Sequence, residues 1–221
     1  PGGASDLPRD IAPARFAALP PTPDPGGTRR GGERLSRLVS FEALKLAAGL
    51  ALLSPGLPLL FMGEEWGDTA PFFYFVSHRD PEIIAAVRQG RQEEFAAFGW
   101  PEAPPDPQAE ETFLRCKINH QICHQGNHQA LWEFHRNLLQ LRRELAELTD
   151  LGRQHREITA LEQEKILTVR MQGEGGEAVL LACFGGEARE VALPWPEGAG
   201  GKRLDSTEAR RRGLGRPRPP A

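Results

Sequence analysis

Cysteine is scarce in this chain, and no apolar run is long enough to cross a bilayer. Only 3 of the 221 residues are Cys, an odd number that does not suit a disulfide framework, so we expect a reducing, cytoplasmic location. The apolar stretches at 46–53 and 57–62 are separated by Ser54-Pro55-Gly56 and fall well short of the about 20 residues that a spanning helix needs. No basic segment followed by an apolar run opens the sequence, so we expect no signal peptide and no membrane partner.

The chain also lacks a large excess of basic or of acidic residues. The chain has 27 basic and 30 acidic residues, a net charge of -3, which gives no electrostatic reason to expect nucleic acid as a partner. Hydrophobic residues make up 39% and there are 24 Gly, a composition typical of a globular protein. The composition therefore favours a folded protein with a neutral partner.

The first regular pattern follows a segment, residues 1–32, that is rich in Pro, Gly and Arg and is predicted to be irregular or disordered. Ser40 is a plausible N-cap for a helix that continues at helical spacing to Leu53. Residues 57–62 are apolar on both faces, which predicts a strand buried in a parallel sheet. A helix, a turn and a buried strand make one α/β unit, and in a barrel the loop after such a strand faces the active site.

Two further helices and a different periodicity follow. Helices are predicted over 81–98 and 130–148, and alternating strands over 166–169, 178–184 and 190–193. The fold class expected is α/β, the C-terminal part of a (β/α)8 TIM barrel followed by a small antiparallel β-domain. Residues 33–152 would form the last α/β units, and residues 153–221 the β-domain with a disordered tail.

Several motifs give the α/β unit a family resemblance. The run from Ser54 to Glu65 resembles the eighth-strand motif of the α-amylase superfamily, although a generic buried strand ending in solvated acids is the alternative interpretation. Residues 32–36, 68–75, 78–81, 87–91, 94–95 and 98–100 resemble the malto-oligosyltrehalose trehalohydrolase family in order and spacing. The resemblance runs from about Gly32 to Leu148 and, more loosely, through the β-domain to residues 204–206.

The resemblance implies a retaining glycoside hydrolase of trehalose biosynthesis. Such an enzyme cleaves the α-1,4 bond next to the terminal trehalose of malto-oligosyltrehalose, with one carboxylate as nucleophile, a carboxylic acid as proton donor and no cofactor. In the family both residues lie upstream of the matched region, so we expect them to be absent from this chain and the chain to be inactive alone. An N-terminal barrel portion would be the missing partner.

A third acid of the family, which stabilises the distorted sugar, aligns with Asp24. The family's Asn-His-Asp-Gln motif is replaced here by Thr22-Pro23-Asp24-Pro25, and a proline-rich segment does not suit a central strand. A solvated turn aspartate is therefore the alternative to a catalytic one.

Substrate-binding residues are expected in the loop after the predicted strand. Carboxylates can hydrogen-bond sugar hydroxyls, and flat aromatic rings can stack on pyranose rings. The candidates are Glu64, Glu65, Trp66, Phe72, Phe73 and Tyr74. The aromatic side chains could equally pack the loop onto the barrel.

Other interpretations remain open. The residues Cys116, His120, Cys123, His124 and His128 are possible zinc ligands, but their spacing does not match that of a structural zinc site, and a solvated loop is the alternative. The chain could also be a non-catalytic remnant or a carbohydrate-binding module, or part of another α-amylase-family glucan hydrolase or branching enzyme. Arg88 and Arg91 are expected to pair with Glu94 on a helix surface.

Overall fold

The computed structural model describes residues 17–18, 31–54, 56–100, 103–145, 155–173, 176–187, 190 and 201–208. They fall into two compact units. The first unit combines residues 1–19, 45–59 and 134–206, and the second combines 20–44, 60–133 and 207–221. Most of residues 1–32, the boundary expected at 152–153 and the tail after residue 208 lie outside the described residues.

Five α-helices account for most of the regular structure in the described part of the chain. They are α1 (Leu35–Leu38), α2 (Phe41–Leu53), α3 (Pro81–Ala97), α4 (Glu110–Arg115) and α5 (Gly126–Glu144). Single 3-10 turns occupy Glu64–Trp66 and His120–His124. No helix among the described residues is long and apolar enough to cross a membrane.

The predicted helices are confirmed, and local chemistry explains where two of them begin. The Ser40 hydroxyl accepts a hydrogen bond from the Ala43 N–H at 3.3 Å, and Asp80 accepts one from the Glu82 N–H at 2.8 Å with Pro81 in the first turn. Helix α5 differs from the prediction at both ends: it begins four residues earlier, at Gly126, and ends at Glu144 and not at residue 148. Its first turn is polar, so an apolar stripe could not reveal it.

The structure differs from the prediction of a buried strand over 57–62. A parallel pair joins β1 (Ala17–Ala18) to β2 (Leu57–Pro58), and Leu57 and Leu59 are each about half exposed, at 50% and 51%. The prediction of a fully buried strand is therefore wrong for the described chain. Such a strand is buried only when other strands flank it and helices cover both faces, and among the described residues only Ala17–Ala18 pairs with it.

The antiparallel sheet belongs to the first unit. Strands β3 (His155–Leu161), β4 (Ile166–Gly173) and β5 (Gly176–Cys183) lie in the order β3-β4-β5, with Val169 opposite both Ile158 and Leu180. The predicted strands that correspond to β4 and β5 are confirmed. Strand β3 was missed because its sequence is mostly polar, and the strand expected at 190–193 lies almost entirely outside the described residues.

The expected ion pairs of α3 form only in part. Arg91 pairs with Glu94, as predicted. Arg88 instead donates two hydrogen bonds to the Asp106 carboxylate, of 2.9 and 2.7 Å. A residue six positions away lies on a different face of a helix, so Glu94 is poorly placed to form an ion pair with Arg88.

Arg142 ties α5 to the C-terminal end of α2 within the first unit. Its guanidinium donates to the carbonyl oxygens of Leu52 and Ser54, both at 2.7 Å, and of Gly56 at 2.8 Å. The last carbonyl groups of a helix have no partner within the helix and carry partial negative charge, so a cation there satisfies and stabilises them. Burial lowers the pKa of Arg142 from its ordinary value.

We expect Arg142→Ala to lower the free energy of unfolding by about 2 kcal/mol, since it leaves several carbonyl groups without their charged donor. The matched control is Arg143→Ala, the next residue of α5, which is exposed and should change stability by less than about 0.5 kcal/mol. Urea unfolding followed by circular dichroism measures both. Equal losses in the two variants would contradict this account of Arg142.

Candidate functional site

The loop from Met62 to Ala70 carries the two candidate glutamates, and a buried carboxylate holds it in shape. Asp68 is 1% exposed. It accepts hydrogen bonds from the Trp66 indole N–H at 3.1 Å, the Ala70 N–H at 2.7 Å and the Asn119 N–H at 2.7 Å. A carboxylate removed from water is tolerated when such donors replace the solvent, so these contacts fix both the loop and its neighbour at Asn119.

A buried arginine closes the same loop from its two ends. Arg34 donates to the Met62 carbonyl oxygen at 2.7 Å and to the Ala70 carbonyl oxygen at 2.6 Å. Its guanidinium carbon lies 5.1 Å from the Phe61 ring centroid. Burial lowers the pKa of Arg34, while the nearby negative charges, Asp68 foremost, act in the opposite direction.

The helix that follows Arg34 adds two more hydrogen bonds to the loop. In α1, the Ser36 hydroxyl donates to the Asp68 carbonyl oxygen at 2.6 Å, and the Arg37 Nε–H donates to the Thr69 carbonyl oxygen at 2.8 Å. The backbone carbonyl groups of a loop take such partners because no helix or sheet supplies them. The segment 34–37 therefore supports the loop through four side-chain hydrogen bonds to its backbone carbonyl groups.

Two glycines allow the chain to reverse around the Glu64–Trp66 turn. Gly63 and Gly67 have φ angles of 83° and 67°, in the left-handed region that favours glycine. A Cβ at Gly63 would lie 2.9 Å from the Asp68 Cβ. The turn and the buried Asp68 are thus mutually dependent.

The two adjacent glutamates have different surroundings. Glu64 accepts a hydrogen bond from the Phe61 N–H at 3.0 Å. Desolvation raises the pKa of Glu64 to about 7, the charge of Glu65 adds to the rise, and the Phe61 N–H and Arg34 oppose it. Glu65 has a buried carboxylate oxygen, Oε2, with no hydrogen-bond partner among the described residues.

The expected aromatic sugar platforms differ in their accessibility. Trp66 and Phe73 are each 6% exposed, and the Arg115 guanidinium lies 4.7 Å from the Phe73 ring centroid. Phe72 packs edge-on against Phe61. Tyr74 is 42% exposed, with the Arg91 guanidinium over its ring. Tyr74 therefore offers the most open ring of the four candidates, and sugar contact by any of them stays a prediction.

Four of the five cysteine and histidine residues that could suggest zinc have other contacts. Cys116 Sγ is buried and accepts from the Phe73 N–H at 3.1 Å, and burial raises the pKa of its thiol. His128 lies 2.8 Å from the Trp66 carbonyl oxygen, and His120 and His124 lie against tryptophan rings. No cluster of three or more His, Cys, Asp or Glu side chains suited to a metal occurs in the described ranges.

Three residues central to this site were not singled out from the sequence: Arg34, Asp68 and Asn119. Arg34 and Asp68 lie within the family-like motifs, but nothing in a sequence pattern tells a buried charge from a solvated one. Asp24, the candidate third acid, lies outside the described residues.

Replacing the Asp68 carboxylate should loosen the loop. We expect Asp68→Asn, which keeps the shape but turns one acceptor into a donor, to cost about 2–4 kcal/mol of unfolding free energy. Thr69→Ala is the control, because Thr69 is exposed and uses only its backbone carbonyl to hold Arg37. Thermal and urea unfolding measure both variants, and an unchanged Asp68→Asn protein would contradict the role given to the carboxylate.

Glu64 should make stability depend on pH. Because its pKa rises from 4.5 to about 7 on folding, the folded state binds the proton more tightly, and stability should fall as the pH increases from about 4.5 to about 7. Glu64→Gln should remove this decline and gain on the order of 1 kcal/mol at pH 8, after allowance for the partial exposure of Glu64. Urea unfolding at pH 5 and pH 8 is the measurement, with the exposed Glu93→Gln as the control; parallel profiles for Glu64→Gln and the unmodified protein would exclude Glu64 as the cause.

Curated relatives and a solved structure match most of this chain. A malto-oligosyltrehalose trehalohydrolase of Mycobacterium tuberculosis is 36% identical over 192 residues, 84% of this chain and 32% of that protein. Proteins of the same name from Rhizobium sp. and Deinococcus radiodurans are 43% and 39% identical, covering 64% and 75% of this chain and 24% and 28% of their own lengths. No protein-family model matches the sequence.

The solved structure is described as an α-amylase from Salmonella typhimurium. It is 33% identical, with a TM-score of 0.71 over 85% of this chain and 33% of that chain. The expected fold class, the C-terminal part of an α/β barrel enzyme followed by a small antiparallel β-domain, is thereby confirmed. The chain, which spans about a third of the length of the first of these relatives, is homologous to the C-terminal region of the malto-oligosyltrehalose trehalohydrolases, which are α-amylase-like glycosidases.

Proposed function

We propose that this chain is the C-terminal part of a glycoside hydrolase that cleaves the α-1,4-glucosidic bond next to the terminal trehalose of malto-oligosyltrehalose and so releases trehalose. The observation that carries the proposal is the match to seven curated relatives of that name, at 36–43% identity. The substrate is a neutral oligosaccharide, in agreement with the net charge of -3. A cytoplasmic location belongs to the same proposal.

The chemistry requires carboxyl groups on both sides of the scissile bond. In a retaining mechanism a nucleophile and a general acid lie about 5 Å apart and flank the anomeric carbon. Glu64 and Glu65 are neighbours in one 3-10 turn and would approach a sugar from the same side. We therefore assign the nucleophile and the acid to an N-terminal barrel portion, and the third, stabilising acid to Asp24.

The turn is suited to binding the sugar and not to cleaving the glycosidic bond. Glu65 is partly exposed, although one carboxylate oxygen, Oε2, is buried without a hydrogen-bond partner in the described part of the chain, and a sugar hydroxyl can donate to the accessible part of its carboxylate. Glu64, with its pKa raised to about 7, is partly protonated at neutral pH and can donate to or accept from a hydroxyl. The Tyr74 ring is 42% exposed with the Arg91 guanidinium over one face, so a pyranose would stack on the other face.

An α-amylase-type glucan hydrolase is the second candidate, and the description of the Salmonella typhimurium structure favours it. The two candidates differ in the end group that the substrate must carry. A trehalohydrolase requires the terminal trehalose unit, whereas a general glucan hydrolase accepts malto-oligosaccharides without it.

The purified chain alone should release no trehalose from malto-oligosyltrehalose, because one group of acids cannot supply both catalytic carboxyls. A chimera in which the chain replaces the matching region of the Deinococcus radiodurans relative should release trehalose, measured by chromatography. Equal cleavage of malto-oligosaccharides that lack the trehalose end would overturn the proposal in favour of the glucan hydrolase.

Binding residues can be tested in the same chimera. Glu65→Gln and Tyr74→Ala should each raise KM about tenfold, since a lost charged hydrogen bond or stacked ring is worth about 1–2 kcal/mol. Glu93→Gln, an exposed site on α3, is the matched control and should leave KM unchanged. If Glu65→Gln and Tyr74→Ala also leave it unchanged, these side chains do not contact the sugar.

A further inference from the structure

A cavity in the second unit is lined in part by the segment 31–37. Its volume is about 340 Å³, and its lining consists of Gly31, Glu33, Arg37, Pro71, Phe73 and Arg115. That volume lies at the lower end of the range of about 300–1,000 Å³ found for small-molecule sites. Phe73 is among the predicted sugar-stacking rings, and no role in binding a ligand has been given to the other lining residues.

The floor of the cavity is fixed by backbone contacts. The Phe72 N–H donates to the Gly32 carbonyl oxygen at 2.8 Å. Gly32 has a φ of 59°, and a Cβ there would lie 2.8 Å from the Phe72 carbonyl oxygen. Only glycine allows the segment at 31–33 to approach Phe72 and Phe73 so closely, so the cavity is a fixed feature of the unit.

Two guanidinium groups line the cavity with donors that the protein does not use. The Arg37 Nε–H donates to the Thr69 carbonyl oxygen, and no other partner of Arg37 occurs among the described residues. Arg115 lies over the Phe73 ring at 4.7 Å, a contact that uses none of its N–H donors. The hydrogen bond from the Phe73 N–H to Cys116 Sγ keeps this neighbourhood in place.

The remaining polar side chain is an acceptor. Glu33 takes a hydrogen bond from the Gly31 N–H at 3.3 Å, and neither Arg37 nor Arg115 forms an ion pair with it in the described structure. Two cations and one anion give the lining a net charge of about +1 at neutral pH, in a chain whose net charge is -3. The local excess of positive charge is thus a property of the cavity and not of the whole protein.

This combination selects one kind of ligand. Guanidinium forks match the oxygens of phosphate and carboxylate groups. A carboxylate beside them repels an oxyanion that has no proton, such as sulfate or acetate, but accepts a hydrogen bond from the P–OH of a protonated phosphate. Because Phe73 is 6% exposed and covered by Arg115, the cavity offers no open ring on which a pyranose could stack.

We propose that this cavity binds a phosphate group, held by Arg37 and Arg115 and recognised in its protonated form by Glu33. The ligand is a free phosphate ion or a small phosphate ester. The cavity shares Phe73 with the predicted sugar-stacking rings and Arg37 with the contacts that hold the loop, but phosphate binding there does not depend on the hydrolase assignment.

The test is a titration of the full chain with inorganic phosphate, followed by NMR chemical shifts at pH 7 and constant ionic strength. Phosphate should bind saturably and more tightly than sulfate or acetate. Arg37→Ala and Arg115→Ala should each weaken phosphate binding about tenfold, the loss expected for one charged hydrogen bond. Arg79→Ala, an exposed arginine of the same unit, is the matched control and should have no effect.

Glu33→Gln supplies the sharpest readout, because it should reduce the preference for phosphate over sulfate, an effect that mere destabilisation of the fold would not produce. Arg115→Gln serves as the second variant if Arg115→Ala lowers the melting temperature. Equal binding of phosphate and sulfate by the unmodified chain, or equal weakening by Arg79→Ala, would overturn the proposal. Arginine-dependent binding of maltose in place of phosphate would also overturn it and make the cavity a saccharide subsite.

Discussion

A carboxylate that leaves water must find hydrogen-bond donors, and the donors that Asp68 finds hold the second unit's loop together. One is the Trp66 side chain, one is the Ala70 backbone within the loop, and one is the Asn119 backbone. Because the carboxylate is almost fully buried, the loss of any one of these donors would leave part of its hydrogen-bonding capacity unsatisfied away from water. The loop geometry, and with it the position of the glutamate turn, follows from this requirement.

Charges of both signs are buried around that loop, and they influence one another. Arg34 binds the two ends of the loop through carbonyl oxygens, and it does not form a direct ion pair with Glu64. Its attraction is therefore too weak to offset the desolvation of Glu64, and the pKa of that carboxyl stays near 7. Asp68 thus holds the shape of the loop through its hydrogen bonds, and in the function that we propose Glu64 and Glu65 are the carboxyl groups that meet the sugar.

Sequence reasoning succeeded where a local signal decides the structure. Helix α3 was predicted to within one residue because Pro81 marks its first turn and Gly99 follows its end. It failed at 57–62, where an apolar run was interpreted as a buried strand although burial depends on neighbouring strands that lie elsewhere in a chain. It also could not show that Arg34 and Asp68 are buried partners of one loop, because their contacts join segments more than twenty residues apart.

The bond between Asp68 and Asn119 spans 51 residues of sequence. Closing a loop of that length costs entropy. The hydrogen bond that offsets this cost can form only when both ends of the loop have been synthesised. During synthesis the glutamate turn therefore leaves the ribosome well before the segment that completes its support. Until Asn119 emerges, Asp68 lacks one of its three donors, so the surface that we propose for sugar binding can take its final form only after that segment has been made.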